Sequence, residues 1–132
     1  MPKAGEARTS ALSYDGAVIF VVPSNNLTLH TAQSNQNPFV CPCDGTIVDA
    51  TARVIEAAGS AAGKAQIGTQ GGATAIGEHS FATSDAAGVY DILSSLTTTT
   101  VNKGDRIVFG TDGASTSTGQ VSITLTISPN AA

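Results

Sequence analysis

Charged residues are scarce in this sequence, and no stretch of the chain concentrates them. Asp, Glu, Lys and Arg make up 12% of the 132 residues, about half the share that is usual in globular proteins. The six Lys and Arg residues are scattered, and the net charge is −4. Because affinity for nucleic acid grows with the number of phosphates neutralised together, this distribution argues against a nucleic-acid partner.

Long apolar runs are missing as well. The longest run, residues 17–22, is far shorter than the roughly 20 residues that a membrane helix requires. Residues 1–16 also lack the apolar centre of a signal peptide. We therefore expect no membrane partner and no export signal.

Cysteine and large aromatic residues are rare. The chain has no Trp and only two Tyr, which leaves few platforms for stacking on sugars. Cys41 and Cys43 are the only cysteines, whereas a secreted domain of this size usually shows several spaced pairs. A disulfide across Cys-Pro-Cys would close a strained ring, so we interpret them as free thiols in a reducing cytosol.

The sequence does contain strong strand patterns, and the clearest lies near the end of the chain. Val121, Ile123, Leu125 and Ile127 alternate with Ser and Thr. This period of two is typical of a half-buried antiparallel strand. A shorter apolar run at residues 107–109 precedes it, and a polar loop rich in Gly, Ser and Thr joins the two.

Short strands separated by turn residues are predicted along most of the remaining chain. They lie at residues 17–22, 27–31, 39–43, 46–56, 64–69, 73–76, 80–83, 89–93 and 97–101. Residues 33–37 are predicted to be a polar loop, and Pro42 places residues 39–43 at an edge or a bend. Turns every 8–12 residues between these short strands indicate an all-β protein.

The predicted fold is an antiparallel β-sandwich, jelly-roll-like, with an extended N-terminal arm. Residues 1–16 are small and polar and form the flexible arm, and residues 17–132 form one domain. The 46–56 strand is expected to turn Val48 and Val54 inward and Ile47 outward. The predicted core consists of Val48, Val54, Ile67, Ile107, Phe109, Val121, Ile123, Leu125 and Ile127.

Two sets of residues could in principle form a reactive site. Cys41 and Cys43 with His30 and His79 could bind zinc, but one residue separates the cysteines where structural zinc sites have two to four. Cys41, His79 and Asp85 could form a nucleophile system, which only geometry would establish. The simpler interpretation is surface histidines and partly buried thiols, with no metal, no cofactor and no catalytic residue.

The acidic and glycine-rich segments have an equally simple interpretation. Asp44, Asp105 and Asp112 could bind calcium at loop ends, but Asp beside Gly is first of all typical of turns. The glycines of 68–72 and 110–113 resemble phosphate loops in composition only, since no helix is predicted behind them.

Three segments together resemble a known family. The segment Pro38-Phe-Val-Cys-Pro-Cys-Asp-Gly-Thr-Ile-Val48 resembles a signature of small virion proteins from tailed bacteriophages. Val101-Asn-Lys-Gly-Asp-Arg-Ile107 and the terminal Gly-Gln-Val-Ser-Ile-Thr-Leu-Thr pattern are similar to the end of the same domains. The resemblance covers about residues 17–128 as spaced patterns, and residues 1–16 match nothing in it.

The resemblance implies a capsid decoration (cement) protein with a jelly-roll or β-sandwich fold and no catalytic residues. Such a protein is made in the host cytoplasm, binds the major capsid protein from outside the shell and acts as a homo-oligomer, a trimer or a dimer. The same layout occurs in receptor- or glycan-binding heads of virion fibres, so that function is the alternative. A cytosolic enzyme on a jelly-roll scaffold is a further rival.

The arm is the segment expected to make assembly contacts. Its sizeable apolar residues are Leu12 and Tyr14, and its charges include Arg8. So little apolar surface cannot order the segment by itself. We expect Leu12 and Tyr14 to anchor it on an adjacent subunit or on the capsid, with Arg8 facing an acidic group; a disordered tail is the alternative.

Overall fold

The computed structural model describes residues 19–93 and 96–130 of the chain. The predicted arm, residues 1–16, lies outside this range and stays a prediction. Ten strands follow one another in the described residues. They are β1 (Phe20–Pro23), β2 (Leu27–Thr28), β3 (Gln33–Val40), β4 (Gly45–Glu56), β5 (Gly63–Thr69), β6 (Gly72–Phe81), β7 (Tyr90–Ile92), β8 (Thr100–Val101), β9 (Arg106–Thr111) and β10 (Gln120–Pro129).

The strands form two antiparallel sheets whose order is that of a jelly roll. One sheet has the order β1-β10-β4-β7, with β2 also paired to β10 and β8 also paired to β4; the other has the order β3-β9-β5-β6. Pairing is nested, because β1 pairs with β10, β3 with β9, β4 with β7 and β5 with β6. The structure therefore confirms the all-β, jelly-roll-like sandwich.

No helix in the described ranges is long and apolar enough to cross a membrane. The secondary structure assigned there is extended strand joined by turns and loops.

The core lies between the two sheets and is built by alternation along the long strands. Four apolar side chains of β10 are almost completely buried, and they belong to one core cluster with apolar side chains of β5 and β9. Of the predicted core residues, the following are buried: Val54, Ile67, Ile107, Phe109, Val121, Ile123, Leu125 and Ile127. Burying a large aliphatic or aromatic side chain contributes about 1.5–3 kcal/mol, so these residues dominate the stability of the sandwich.

Val48 is the one predicted core residue that the structure places outside. Its side chain is 57% exposed, whereas Ile47 is 4% exposed. The cause is a register shift between β4 and β10, where Ile47 pairs with Ile127 and Asp49 with Thr126. Val48 is the extra residue of a β-bulge. The inward and outward positions are therefore interchanged in the part of β4 that precedes the bulge.

The prediction of a polar loop at residues 33–37 is wrong, because these residues belong to β3. This edge strand follows β9 with two register shifts, between Gln33 and Gln36 and between Gln36 and Phe39. Asn35 and Asn37 have φ angles of 52°, a left-handed conformation that Asn tolerates better than most residues. The polar composition therefore marks a bulged edge strand, and bulges discourage pairing with another chain.

The two strands predicted at 73–76 and 80–83 are a single strand, β6. Ile67 pairs with Gly77 and Thr69 with Gly72, so residues 73–76 bulge opposite Gly68 alone. A Cβ at Gly68 would collide with the carbonyl oxygens of Gly72 and Ala73. The absence of a side chain at position 68 lets the bulge close over β5.

The strand predicted at residues 97–101 is shorter than expected. Only Thr100–Val101 pairs with β4. The N–H groups of Thr97 and Thr98 instead donate to the carbonyl oxygen of Ile76, at N–O distances of 2.8 and 3.3 Å. These hydrogen bonds tie the segment between β7 and β8 to β6 of the opposite sheet.

The bulge in β4 predicts opposite sensitivities for two adjacent residues. Replacing Ile47 by Ala removes buried atoms and should lower the free energy of unfolding by about 2–5 kcal/mol. Val48→Ala should change it by less than about 0.5 kcal/mol, because Val48 faces solvent. Urea unfolding followed by circular dichroism measures both, and a larger loss at Val48 than at Ile47 would contradict the register.

Candidate functional site

The outer face of the six-stranded sheet is nearly neutral and rich in hydroxyl groups. We define it by the residues whose side chains point away from the core: Val21, Asp49, Thr51, Arg53, Tyr90, Ser122, Thr124 and Thr126. Ser and Thr at the alternate positions of β10 create it, since the apolar residues between them face inward. Neutral hydroxyls lose less free energy on dehydration than charges do, so such a face suits contact with another protein.

Apolar and aromatic side chains lie at the two edges of this outer face. Val21 of β1 is 59% exposed, and Tyr90 of β7 is 69% exposed. The guanidinium carbon of Arg53 lies 6.0 Å from the centroid of the Tyr90 ring, within the range of a cation–π contact. Tyr90 thus contacts Arg53 of the neighbouring strand while most of the residue stays exposed.

A shallow groove opens where the edge strand next to β4 is interrupted. β7 pairs with β4 at residues 51–53 and β8 pairs with it at residues 45–46, so residues 47–50 lie between them. The N–H of Ile47 donates to Thr99 and the N–H of Leu93 donates to Ala50, at 2.7 and 2.8 Å, and these bonds close the two ends. The groove has a volume of about 220 Å³ and is lined by Ile47, Val48, Asp49, Ala50, Leu93, Leu96 and Thr99.

The two cysteines lie at a turn that backbone hydrogen bonds hold together. Cys41 is buried and Cys43 is half-buried, and both are free thiols. The N–H of Cys41 donates to the carbonyl oxygen of Asp105, and the N–H of Gly104 donates to the carbonyl oxygen of Cys41, both at 2.8 Å. Burial raises the pKa of the Cys41 thiol, and the charges of Asp105 and Cys43 raise it further. The neutral thiol is thus favoured over the thiolate that nucleophilic attack requires.

The acidic residues considered for calcium act as acceptors for backbone N–H groups. Asp44 Oδ1 accepts from Lys103 and Asp105 Oδ2 accepts from Asn102, at 2.8 and 2.9 Å. Asp112 Oδ1 accepts from the N–H groups of Lys64 and Ala114, both at 3.0 Å. These bonds fix the loops at the two ends of the sandwich, which is the turn chemistry expected of Asp next to Gly.

The structure does not bring together the residues considered for zinc or for nucleophilic catalysis. His79 Nε2 lies 3.3 Å from Asp91 Oδ2, and its ring meets Phe81 edge to face. Asp85 instead accepts from the N–H of Ala82. Within residues 19–93 and 96–130, no three His, Cys, Asp or Glu side chains are grouped so that they could hold a metal ion.

Sequence reasoning placed its candidate interface elsewhere and missed the groove. Arg8, Leu12 and Tyr14 lie outside the described residues. The groove depends on the outward position of Val48, which regular alternation assigns to the core. The adjacent apolar pair Ile47-Val48, followed by Asp49, breaks that alternation and is the one local signal of a bulge.

Comparisons with known proteins identify a similar fold. A scan against protein-family models finds no match, and neither does a search of curated proteins. Among solved structures, the chain is similar to one from the cyanophage Pam1 capsid asymmetric unit, with a TM-score of 0.52 and 13% sequence identity. The alignment covers 98% of this chain and 100% of that one. At this identity, the likeness shows a shared fold.

The thiol environments predict unequal reactivity of the two cysteines. Cys43 should be alkylated first at pH 8. The rate at Cys41 should be lower by a factor of about ten or more, because Cys41 is buried and its raised pKa reduces the thiolate fraction. Iodoacetamide labelling followed by peptide mass spectrometry measures both rates. In urea the rates should converge, and equal rates in the folded protein would contradict the assigned environment.

Proposed function

We propose that this chain is a structural protein of a phage virion that binds the outside of the major capsid shell and stabilises it, as a decoration or cement protein. The observation that carries the proposal is the end-to-end similarity to a chain of a cyanophage capsid asymmetric unit, which covers 98% of this chain and 100% of that one. The likeness of fold thus extends over the length of both chains. In this proposal, the protein is made in the host cytoplasm and resides on the capsid surface.

The surface of the sandwich supports a role in assembly. The outer face offers neutral Ser and Thr hydroxyls with exposed Val21 and Tyr90 at its edges. A protein that occupies many equivalent positions on a lattice places like surfaces close together. A low charge density limits both dehydration costs and repulsion between such copies.

The polar residues of the described part of the chain support a role without catalysis. The carboxylates of Asp44, Asp105 and Asp112 accept backbone hydrogen bonds at loop ends. The Cys41 thiol is buried, and burial raises its pKa. These groups are used to hold the loops, so we assign the protein no enzymatic activity and no cofactor.

Assembly in this proposal uses the arm and more than one copy of the chain. Residues 17–132 form the sandwich domain, residues 1–16 form the arm, and the protein acts as a homo-oligomer, a trimer or a dimer. Arg8, Leu12 and Tyr14 are the interface residues of the arm. An extended chain spans up to ~3.3–3.6 Å per residue, so the arm is long enough to reach a neighbouring subunit.

Co-sedimentation with purified, undecorated capsids tests the proposed function. The protein should pellet with the capsids at a saturable, fixed ratio and should raise the temperature at which the shells release their contents. Failure to pellet, together with specific binding on a glycan array, would overturn the proposal in favour of a fibre head.

Removal of the arm tests its role. A truncated protein starting at Gly16 should keep the strand-dominated circular-dichroism spectrum and the unfolding midpoint of the full chain, because the core lies within the described residues. It should bind capsids at least about tenfold more weakly, since truncating a buried Tyr anchor at an interface costs about 2 kcal/mol or more. Full-strength binding by the truncated protein would show that the arm is a passive tail.

A further inference from the structure

The groove and the start of β1 lie at opposite edges of the six-stranded sheet, at the same position along its strands. Phe20, the first residue of β1, pairs with Ile127 of β10, and Ile127 pairs with Ile47 of β4. Ile47 lines the groove. With neighbouring strands ~4.8 Å apart, the four strand positions of the sheet span about 14 Å. The N-terminal segment therefore leaves one edge, directly across the sheet from the groove at the other.

The groove has the size and chemistry of a receptor for apolar side chains. Its volume of about 220 Å³ exceeds the roughly 150 Å³ of a cavity that admits benzene. We call the buried aliphatic residues of its lining, Ile47, Ala50 and Leu93, the floor, and the exposed Val48 and Asp49 the rim; Val48 is 57% exposed. Asp49 lies beside Val48, and the ion pairs of the described residues do not include it. The groove thus combines an apolar floor with one acidic group that a cation could meet.

The N-terminal segment carries side chains that match this groove. Arg8, Leu12 and Tyr14 are separated by even numbers of residues, so an extended chain presents them on one side. Tyr14 lies five residues before Ile19, and five extended residues span up to ~17 Å. Tyr14 and Leu12 thus supply an aromatic and an aliphatic side chain for the floor, and Arg8 supplies a guanidinium group for the carboxylate on the rim.

We propose that the groove is the docking site for the N-terminal segment of a second copy of this chain. Leu12 and Tyr14 of that copy fill the aliphatic floor, and its Arg8 pairs with Asp49. The inference rests on the homo-oligomer of the proposed function and specifies how that oligomer is held together.

The position of donor and receptor on the sheet favours a second copy over the chain's own segment. With the β1 edge of one copy beside the β7 edge of the next, the segment enters the neighbour's groove without crossing a sheet. If the segment docked in the groove of its own chain, it would have to cross the outer face and cover the hydroxyls of Thr124 and Thr126. A head-to-tail contact of this kind joins different surfaces of equivalent copies and closes into a ring when the rotation permits.

Photo-crosslinking tests the docking directly. The variant Tyr14→benzoylphenylalanine keeps an aromatic side chain and is irradiated as a mixture of tagged and untagged full-length protein. We expect a crosslinked species that contains both forms, with adducts mapped by mass spectrometry to residues 47–50 or to Leu93, Leu96 or Thr99. Adducts at the groove within a single chain would overturn the choice of a second copy, and adducts on other surfaces would overturn the groove.

A charge placed on the groove rim tests the same contact by affinity. Val48→Asp should raise the dissociation constant of the oligomer by about tenfold or more, because one guanidinium group would then face two adjacent carboxylates, and the added carboxylate would be dehydrated against the apolar side chains of the segment. Val40→Asp is the matched control, since Val40 is 51% exposed and belongs to β3 of the other sheet. Analytical ultracentrifugation gives both constants, and circular dichroism checks that both variants are folded.

A combined variant separates the groove contact from other effects of the added charge. In the truncated protein that starts at Gly16, Val48→Asp should cause no further loss of association, because the segment that fills the groove is already missing. A full additional loss would contradict the docking.

Failure of the inference is distinguishable from failure of the proposed function. If the protein binds capsids but gives no crosslinks at the groove, only the inference is wrong. If it gives crosslinks at the groove but does not bind capsids, only the proposed function is wrong.

Discussion

The pairing of β10 with strands on both of its sides is the interaction on which the rest of the structure depends. Along one side it runs against β4 from Gln120 to Pro129, and along the other it pairs with β1 and β2. Its four inward side chains supply the centre of the core. Because β1 and β10 lie at opposite ends of the described chain, the six-stranded sheet forms only after the whole domain is present. Folding dominated by such distant contacts is expected to be slow.

The nested pairing that follows from β10 also determines which surfaces are available for assembly. The strands at the sheet edges are short or irregular: β1 and β2 share one edge, β7 and β8 share another, and β3 and β6 carry bulges. Such edges resist pairing with further strands. The proposed contacts are therefore assigned to the outer face and to the gap between β7 and β8.

The sequence predicted the fold where side-chain alternation is uninterrupted, and β10 is the clearest case. Prediction failed where a bulge shifts the alternation, as at Val48, because the shift arises from pairing with Thr126 and Ile127 far along the chain. It failed again at residues 33–37, which join the sheet because Gln33 and Gln36 pair with β9 and not because of their own preference for strands. The groove was beyond sequence reasoning, since two separate edge strands and a bulge create it together.

In the proposed function, binding is distributed over a surface. The carboxylates of Asp44, Asp105 and Asp112 accept backbone hydrogen bonds in loops, and His79 pairs with Asp91 between two strands. The proposal therefore assigns partner contacts to the neutral outer face and the groove. Electron cryomicroscopy of capsids decorated with the full-length protein tests this account most directly. The account predicts jelly-roll density on the outside of the shell, repeated at equivalent lattice positions, with an N-terminal segment in each groove. Shells without added density, or density for this chain inside the shell, would contradict it.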